Sequence, residues 1–223
     1  MRERRILMTN YSGKRISILG DSISTFQDYT PDSAVFFDSF VQSLAGITSV
    51  DDTWWMQVIN GLGGTLGTNN SYAGSTVYGT RLTAGCSDHR TGALGRNGVP
   101  DVILVSMGGN DCAFQISRRQ FKKAYRTMLA KLKEYYPAAE IWCGTLLWGR
   151  HVDDRIPAFF NAEAVPPIRT YNELIIAEVQ AAGCHLADLG EGLYDAMDGV
   201  HPNRNGMDFI AQRWLRAIQG AEG

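Results

Sequence analysis

Four short polar segments of this chain carry side chains that could perform acyl transfer if they met. Gly20-Asp-Ser-Ile-Ser-Thr25 supplies serine hydroxyls, with Ser22 or Ser24 as nucleophile or as a helix cap. Asn69-Asn-Ser-Tyr-Ala-Gly-Ser75 contains a glycine that lets backbone approach a ligand closely. Met107-Gly-Gly-Asn-Asp111 offers an asparagine amide as a donor to a developing oxyanion. Asp198-Gly-Val-His-Pro202 puts a carboxylate three residues before a histidine. In a tight loop that carboxylate can hold one ring nitrogen while the other faces a hydroxyl. Each segment alone reads equally well as a cap, a turn or a polar loop. Together they supply a nucleophile, a base, an orienting acid and extra donors.

The elements around these segments put them at one edge. Arg15–Leu19, Gly64–Thr68, Asp101–Ser106, Glu140–Gly144 and Cys184–Asp188 read as five strands, the second weakened by its glycines. Val102-Ile-Leu-Val105 has four adjacent apolar residues, as a parallel strand buried on both faces requires. Between the strands run helical stripes. One starts at Ser117, with Gln120 three residues on as in a capping box, and runs to Pro137. A second runs from Ile168 to Gly183, a third from Met207 to Ile218, and a shorter one covers Trp54–Ile59. Strands alternating with helices predict an α/β fold with a parallel sheet covered on both sides. Ligands of such sheets bind beyond the carboxyl ends of the strands, and the four polar segments follow strands.

The bulk composition narrows the function classes. The 223 residues are 44% hydrophobic and 20% charged, which suits one globular domain over 1–223, with residues 1–13 as a peripheral N-terminal extension. A net charge of −2 gives no basic surface for nucleic acid. No apolar run is long enough to span or anchor in a membrane, and the basic N-terminus lacks the apolar core of a secretory signal, so the expected location is cytoplasmic. The four cysteines form no C-x-x-C pair. Cys86 and His89 make a single C-x-x-H with no second pair to complete a metal site, so no metal is expected.

The four segments, in this order, resemble the blocks of the SGNH/GDSL hydrolase family, and the Gly-Asp-Ser-Ile-Ser-Thr string is similar to a bacterial branch of it. The departures are Ile23 in place of the leucine of the GDSL motif and an irregular second block. The resemblance implies a three-layer α/β/α sandwich with a five-stranded parallel sheet in flavodoxin-like order. It implies Ser22 as nucleophile, His201 as base and Asp198 as orienting acid. The oxyanion hole would be the Ser22 amide, the Gly74 amide and the Asn110 side chain, with no cofactor. Asp21 and Asp111 are expected to accept hydrogen bonds from loop amides. Trp148 and Arg150, after the fourth strand, are expected to contact substrate. The expected substrate is a short-chain acyl ester of a small molecule or a carbohydrate. Two competing readings remain at this stage: a flavodoxin-like module binding phosphate or a flavin phosphate, and an acyltransferase or thioesterase using the same site. Oligomeric state is not legible.

Overall fold

In the computed structural model, residues 10–159 and 168–220 are described. Residues 1–9 of the expected N-terminal extension lie outside them. The strands are β1 (Arg15–Gly20), β2 (Thr65–Asn69), β3 (Val102–Ser106), β4 (Glu140–Gly144), β5 (Trp148–His151), β6 (His185–Ala187) and β7 (Leu193–Ala196). The helices are α1 (Ser39–Ala45), α2 (Trp54–Leu62), α3 (Asp88–Thr91), α4 (Gly109–Ala113), α5 (Arg118–Tyr135), α6 (Ile168–Ala182) and α7 (Arg204–Gly220).

The main sheet has the order β2-β1-β3-β4-β6, and every neighbouring pair is parallel. Alternation along its strands divides the core in two. Ile16, Ile18, Val102, Leu104 and Trp142 face α2 and α7, where Trp54, Val58, Met207 and Trp214 pack. Leu19, Ile103, Val105, Ile141 and Cys143 face α5 and α6, where Phe121, Tyr125, Leu129, Ile175 and Val179 pack. Val102 to Val105 are all fully buried, as strands covered on both faces must be. The result is the three-layer α/β/α sandwich that the motifs implied.

Local chemistry sets the element ends. The Thr53 hydroxyl accepts from the Met56 amide at the start of α2, and Gly63 ends it in the left-handed region. At α5, Ser117 Oγ accepts from the Gln120 amide, which is half of the expected capping box. The Gln120 side chain does not return to the cap backbone. It meets the Ser117 hydroxyl and donates to the Tyr78 hydroxyl instead. Tyr11, inside the stretch read as an extension, is buried and donates to Glu140 on β4.

One feature departs from the sequence reading. Beyond the five expected strands, the segment after β4 forms β5, which pairs in parallel with β7 in a separate two-stranded sheet. Four-residue strands with a glycine carry too little periodicity to be legible, and only the long-range pairing stabilises them.

Candidate active site

Every strand of the main sheet ends on the same side, and that edge collects the four segments. β1 ends at Gly20, and Ser22–Ser24 follows as a single 3-10 turn. Asp21 caps this turn, its carboxylate accepting from the Ile23 amide at 3.1 Å. Ser22 is thereby held at the start of the turn, with its hydroxyl 3.0 Å from His201 Nε2. The other ring nitrogen, Nδ1, lies 2.7 Å from Asp198 Oδ2. With the carboxylate as acceptor, Nδ1 carries the proton and Nε2 is free to accept from Ser22.

The Asp198–His201 loop is fixed from several sides. Asp198 Oδ1 accepts from the Val200 and His201 amides, at 2.9 and 2.7 Å. The Tyr194 hydroxyl, buried on β7, donates to the Val200 carbonyl. The Met197 amide donates to the His201 carbonyl. Phe36 stacks on the imidazole with ring centroids 3.5 Å apart, and Phe159 meets it edge-on at 5.5 Å. Burial works to raise the Asp198 carboxyl. The His201 hydrogen bond and charge and the two amides outweigh that and hold it below its usual range, so it is an anion at neutral pH.

The second and third segments close on this pair. Asn110 is in the first turn of α4, and its Nδ2 donates to the Ser75 carbonyl at 2.9 Å. An amide nitrogen carries two hydrogens, so the second is available to the cleft. Gly74 sits at φ +68°, a conformation that a side chain would strain. Ser22, Gly74, Asn110 and His201 line one cleft with about 160 Å³ of free space. Its other walls are mainly apolar: Ile23, Phe36, Leu146, Leu147, Trp148 and Phe159.

Three ionisable side chains fasten these loops from behind. Asp111, next to Asn110, accepts from the Val77 and Tyr78 amides at 2.7 and 3.0 Å. Burial pushes its carboxyl up to about 7, against the pull of those amides. Burial likewise raises Asp21 to about 6, although the Ile23 amide and the charges of His201 and Arg90 oppose it. Arg90 is the residue that sequence reasoning missed. It is fully buried, and its guanidinium donates to the carbonyls of Gly20, Asn70 and Thr83 while lying over the Tyr72 ring. Burial lowers it to about 10, so it stays charged at neutral pH. In the sequence it stands in Ser87-Asp-His-Arg-Thr91, which reads as a polar surface loop, and no periodicity flags it.

Ser22, Gly74, Asn110, Asp198 and His201 are thus brought together. Trp148 lines the cleft from β5. Arg150 does not line it: two residues further along the same strand, it pairs with Asp195 on β7 at 2.6 Å and is largely exposed. Residues two apart on a strand share a face, so it is the ion pair with Asp195 and the step along β5 that keep its guanidinium outside the cleft lining. Trp54 and Trp55 are wholly buried in the core. Cys86 contacts the Gly79 carbonyl, His89 lies against Tyr72, and no cluster of three metal-ligating side chains occurs among the described residues. Ser24 and Thr25, which a phosphate-binding loop would need, are buried and engaged. Ser24 Oγ accepts from Trp54 Nε1, and Thr25 Oγ1 donates to the Ser22 carbonyl.

A parallel α/β sandwich with a serine, a histidine and a carboxylate in hydrogen-bonded series at the carboxyl edge defines the hydrolase class to which the motifs pointed. The model of the GDSL-like lipase/acylhydrolase family matches residues 14–218, and the chain belongs to that family. Solved structures agree. A protein described as a GDSL-like lipase from Bacteroides ovatus aligns with TM-score 0.69 at 23% identity, covering 94% of this chain and 99% of its own. Another from Bacteroides uniformis aligns at 0.66 and 27%, covering 93% and 96%. A family two carbohydrate esterase from Clostridium thermocellum, solved with cellohexaose, shares the fold at 0.64 and 14%, covering 96% of this chain and 66% of its own. No curated protein matches. No helix among the described residues is long and apolar enough to cross a membrane.

Proposed function

We propose that the protein hydrolyses short-chain acyl esters through an acyl-enzyme formed on Ser22. The observation that carries this reading is the continuous contact from Ser22 Oγ through the His201 ring to Asp198. His201 Nε2 takes the hydroxyl proton as Ser22 attacks the ester carbonyl. The imidazolium that forms is stabilised by the Asp198 carboxylate, which is ionised before the reaction begins. Negative charge on the carbonyl oxygen is met by the Ser22 and Gly74 amides and the second Asn110 hydrogen. Collapse expels the alcohol with the proton from His201, and water activated by the same ring then releases the acid.

The size of the cleft supports a short acyl group. A dry cavity of about 150 Å³ is enough to bind benzene, and the free space beside Ser22 is about 160 Å³. A long alkyl chain would have to leave the cleft. The similarity in fold to the carbohydrate esterase from Clostridium thermocellum favours a carbohydrate as the alcohol. Acyl transfer to an alcohol would use the same residues, and product analysis in the presence of methanol separates it from hydrolysis.

The test is Ser22→Ala measured beside the parent on a panel of esters graded by acyl length. Turnover should fall by about 10⁴–10⁶, and the parent should prefer the shortest chains. Full activity in pure Ser22→Ala protein overturns the assignment.

A further inference from the structure

A second cleft opens beside the first. It has about 400 Å³ of free space and shares Gly74 and Phe114 with the catalytic cleft. Its chemistry is different. Away from the shared residues its walls include the hydroxyl-bearing residues Thr76, Tyr78, Thr80 and Thr83 and the cation Arg81. Among the described residues, no carboxylate or histidine lines it. Thr80, Arg81 and Thr83 are exposed, and among the described residues their side chains make no hydrogen bond or ion pair.

The wall that carries them is built to stay in place. Asp111 holds the Val77 and Tyr78 amides, and Gln120 donates to the Tyr78 hydroxyl. The Gly85 amide donates to the Thr76 carbonyl, the Ser87 hydroxyl to the Leu82 carbonyl, and Arg90 to the Thr83 carbonyl. Polar groups on such a fixed wall bind without the cost of ordering a loop. Between the two clefts stands Phe114, a residue 55% exposed although large apolar side chains are usually covered. A ring at the mouth of a hydroxyl-lined cleft suits a ligand with one apolar C–H face and an edge of hydroxyls.

We propose that this cleft holds the alcohol half of the ester, and that the alcohol is a saccharide stacked on Phe114 with its hydroxyls towards Thr80, Arg81 and Thr83. The inference rests on the esterase reading. An ester whose carbonyl oxygen meets the Gly74 amide lies at the junction of the clefts. Its small acyl group then enters the apolar cleft, and its polar alcohol enters the hydroxyl-lined one. A phosphorylated alcohol suits the wall less well, because among the described residues Arg81 is the one cation that lines it.

The experiment compares two acetate esters of primary alcohols, ethyl acetate and methyl 6-O-acetyl-glucopyranoside, which differ in the alcohol alone. The parent should show a higher kcat/KM on the sugar ester. Phe114→Ala and the double variant Thr80→Val/Thr83→Val should lower the ratio of the two kcat/KM values by five-fold or more, through KM for the sugar ester. Methyl glucopyranoside should inhibit ethyl acetate turnover by the parent competitively, and the same variants should weaken that inhibition. A ratio that does not move in either variant overturns the inference. So does a parent that cleaves ethyl acetate but prefers it to the sugar ester, and this second result leaves the esterase reading intact. A parent that cleaves neither ester sinks both.

Discussion

Asn110 holds a loop, and the same side chain is the one proposed to serve the reaction. One hydrogen of its amide binds the Ser75 carbonyl and fixes the turn that carries Gly74. The other is the proposed donor to the oxyanion. Removing such a donor typically costs about 10²–10³ in kcat. Asn110→Ala should fall in that range, with circular dichroism and the urea midpoint reporting that the fold survives. A loss of less than about three-fold would exclude the donor role. Asp21 and Asp111 hold loop amides, as their positions beside Ser22 and Asn110 suggested. Arg150 lies outside the residues that line the cleft and pairs with Asp195 instead.

At the scale of elements, the site depends on how loops that follow different strands are tied together. The turn after β1 and the segment after β2 are linked by Arg90, which binds Gly20 and Asn70 in one guanidinium. The segment after β2 and helix α4 are linked by Asn110 and Asp111. Arg90→Met would take this donor from the buried Gly20 and Asn70 carbonyls and from the carbonyl of the exposed Thr83. Each such orphan costs about 1–3 kcal/mol, so the variant should lose at least ~2 kcal/mol in urea denaturation. At a temperature where it remains folded, kcat should fall by an order of magnitude or more while KM changes little, because the link sets the spacing of the Ser22 and Gly74 amides. Equal loss in kcat and KM, or none in either, would mean that Arg90 only fills space. The helices were legible for the opposite reason. The stripes of α5 and α6 are local patterns, and their ends at Ser117 and Gly183 are set within a few residues.

For the whole molecule, buried carboxyls shape stability against pH. Asp21 and Asp111 are raised from 3.8 to about 6 and about 7 by burial. From about pH 4 upward the native state therefore keeps protons that the unfolded chain has released. Their contribution favours the fold at low pH and is lost as pH rises through 6 and 7. Asp52, Asp198 and Glu178 are held below their ordinary values and act in the other direction. Their contribution is present above about pH 4 and is lost on acidification. The urea midpoint should accordingly peak between about pH 4 and 6 and decline towards pH 8. A midpoint that climbs steadily from pH 5 to 8 contradicts this balance.

The chain by itself determined the strand–helix alternation, the placement of four polar segments after strands and the motif that marks Ser22, Asn110, Asp198 and His201. These depend on residues close together in sequence, where periodicity, caps and spacing act. Only the tertiary structure decided that β5 and β7 pair, that Phe36 and Phe159 pack on His201, that Arg90 is buried behind the nucleophile turn and that a second cleft adjoins the first. Each of those joins groups far apart in the chain. Burial, which gives Arg90 and the two raised carboxyls their character, is a property of what surrounds a residue rather than of its type.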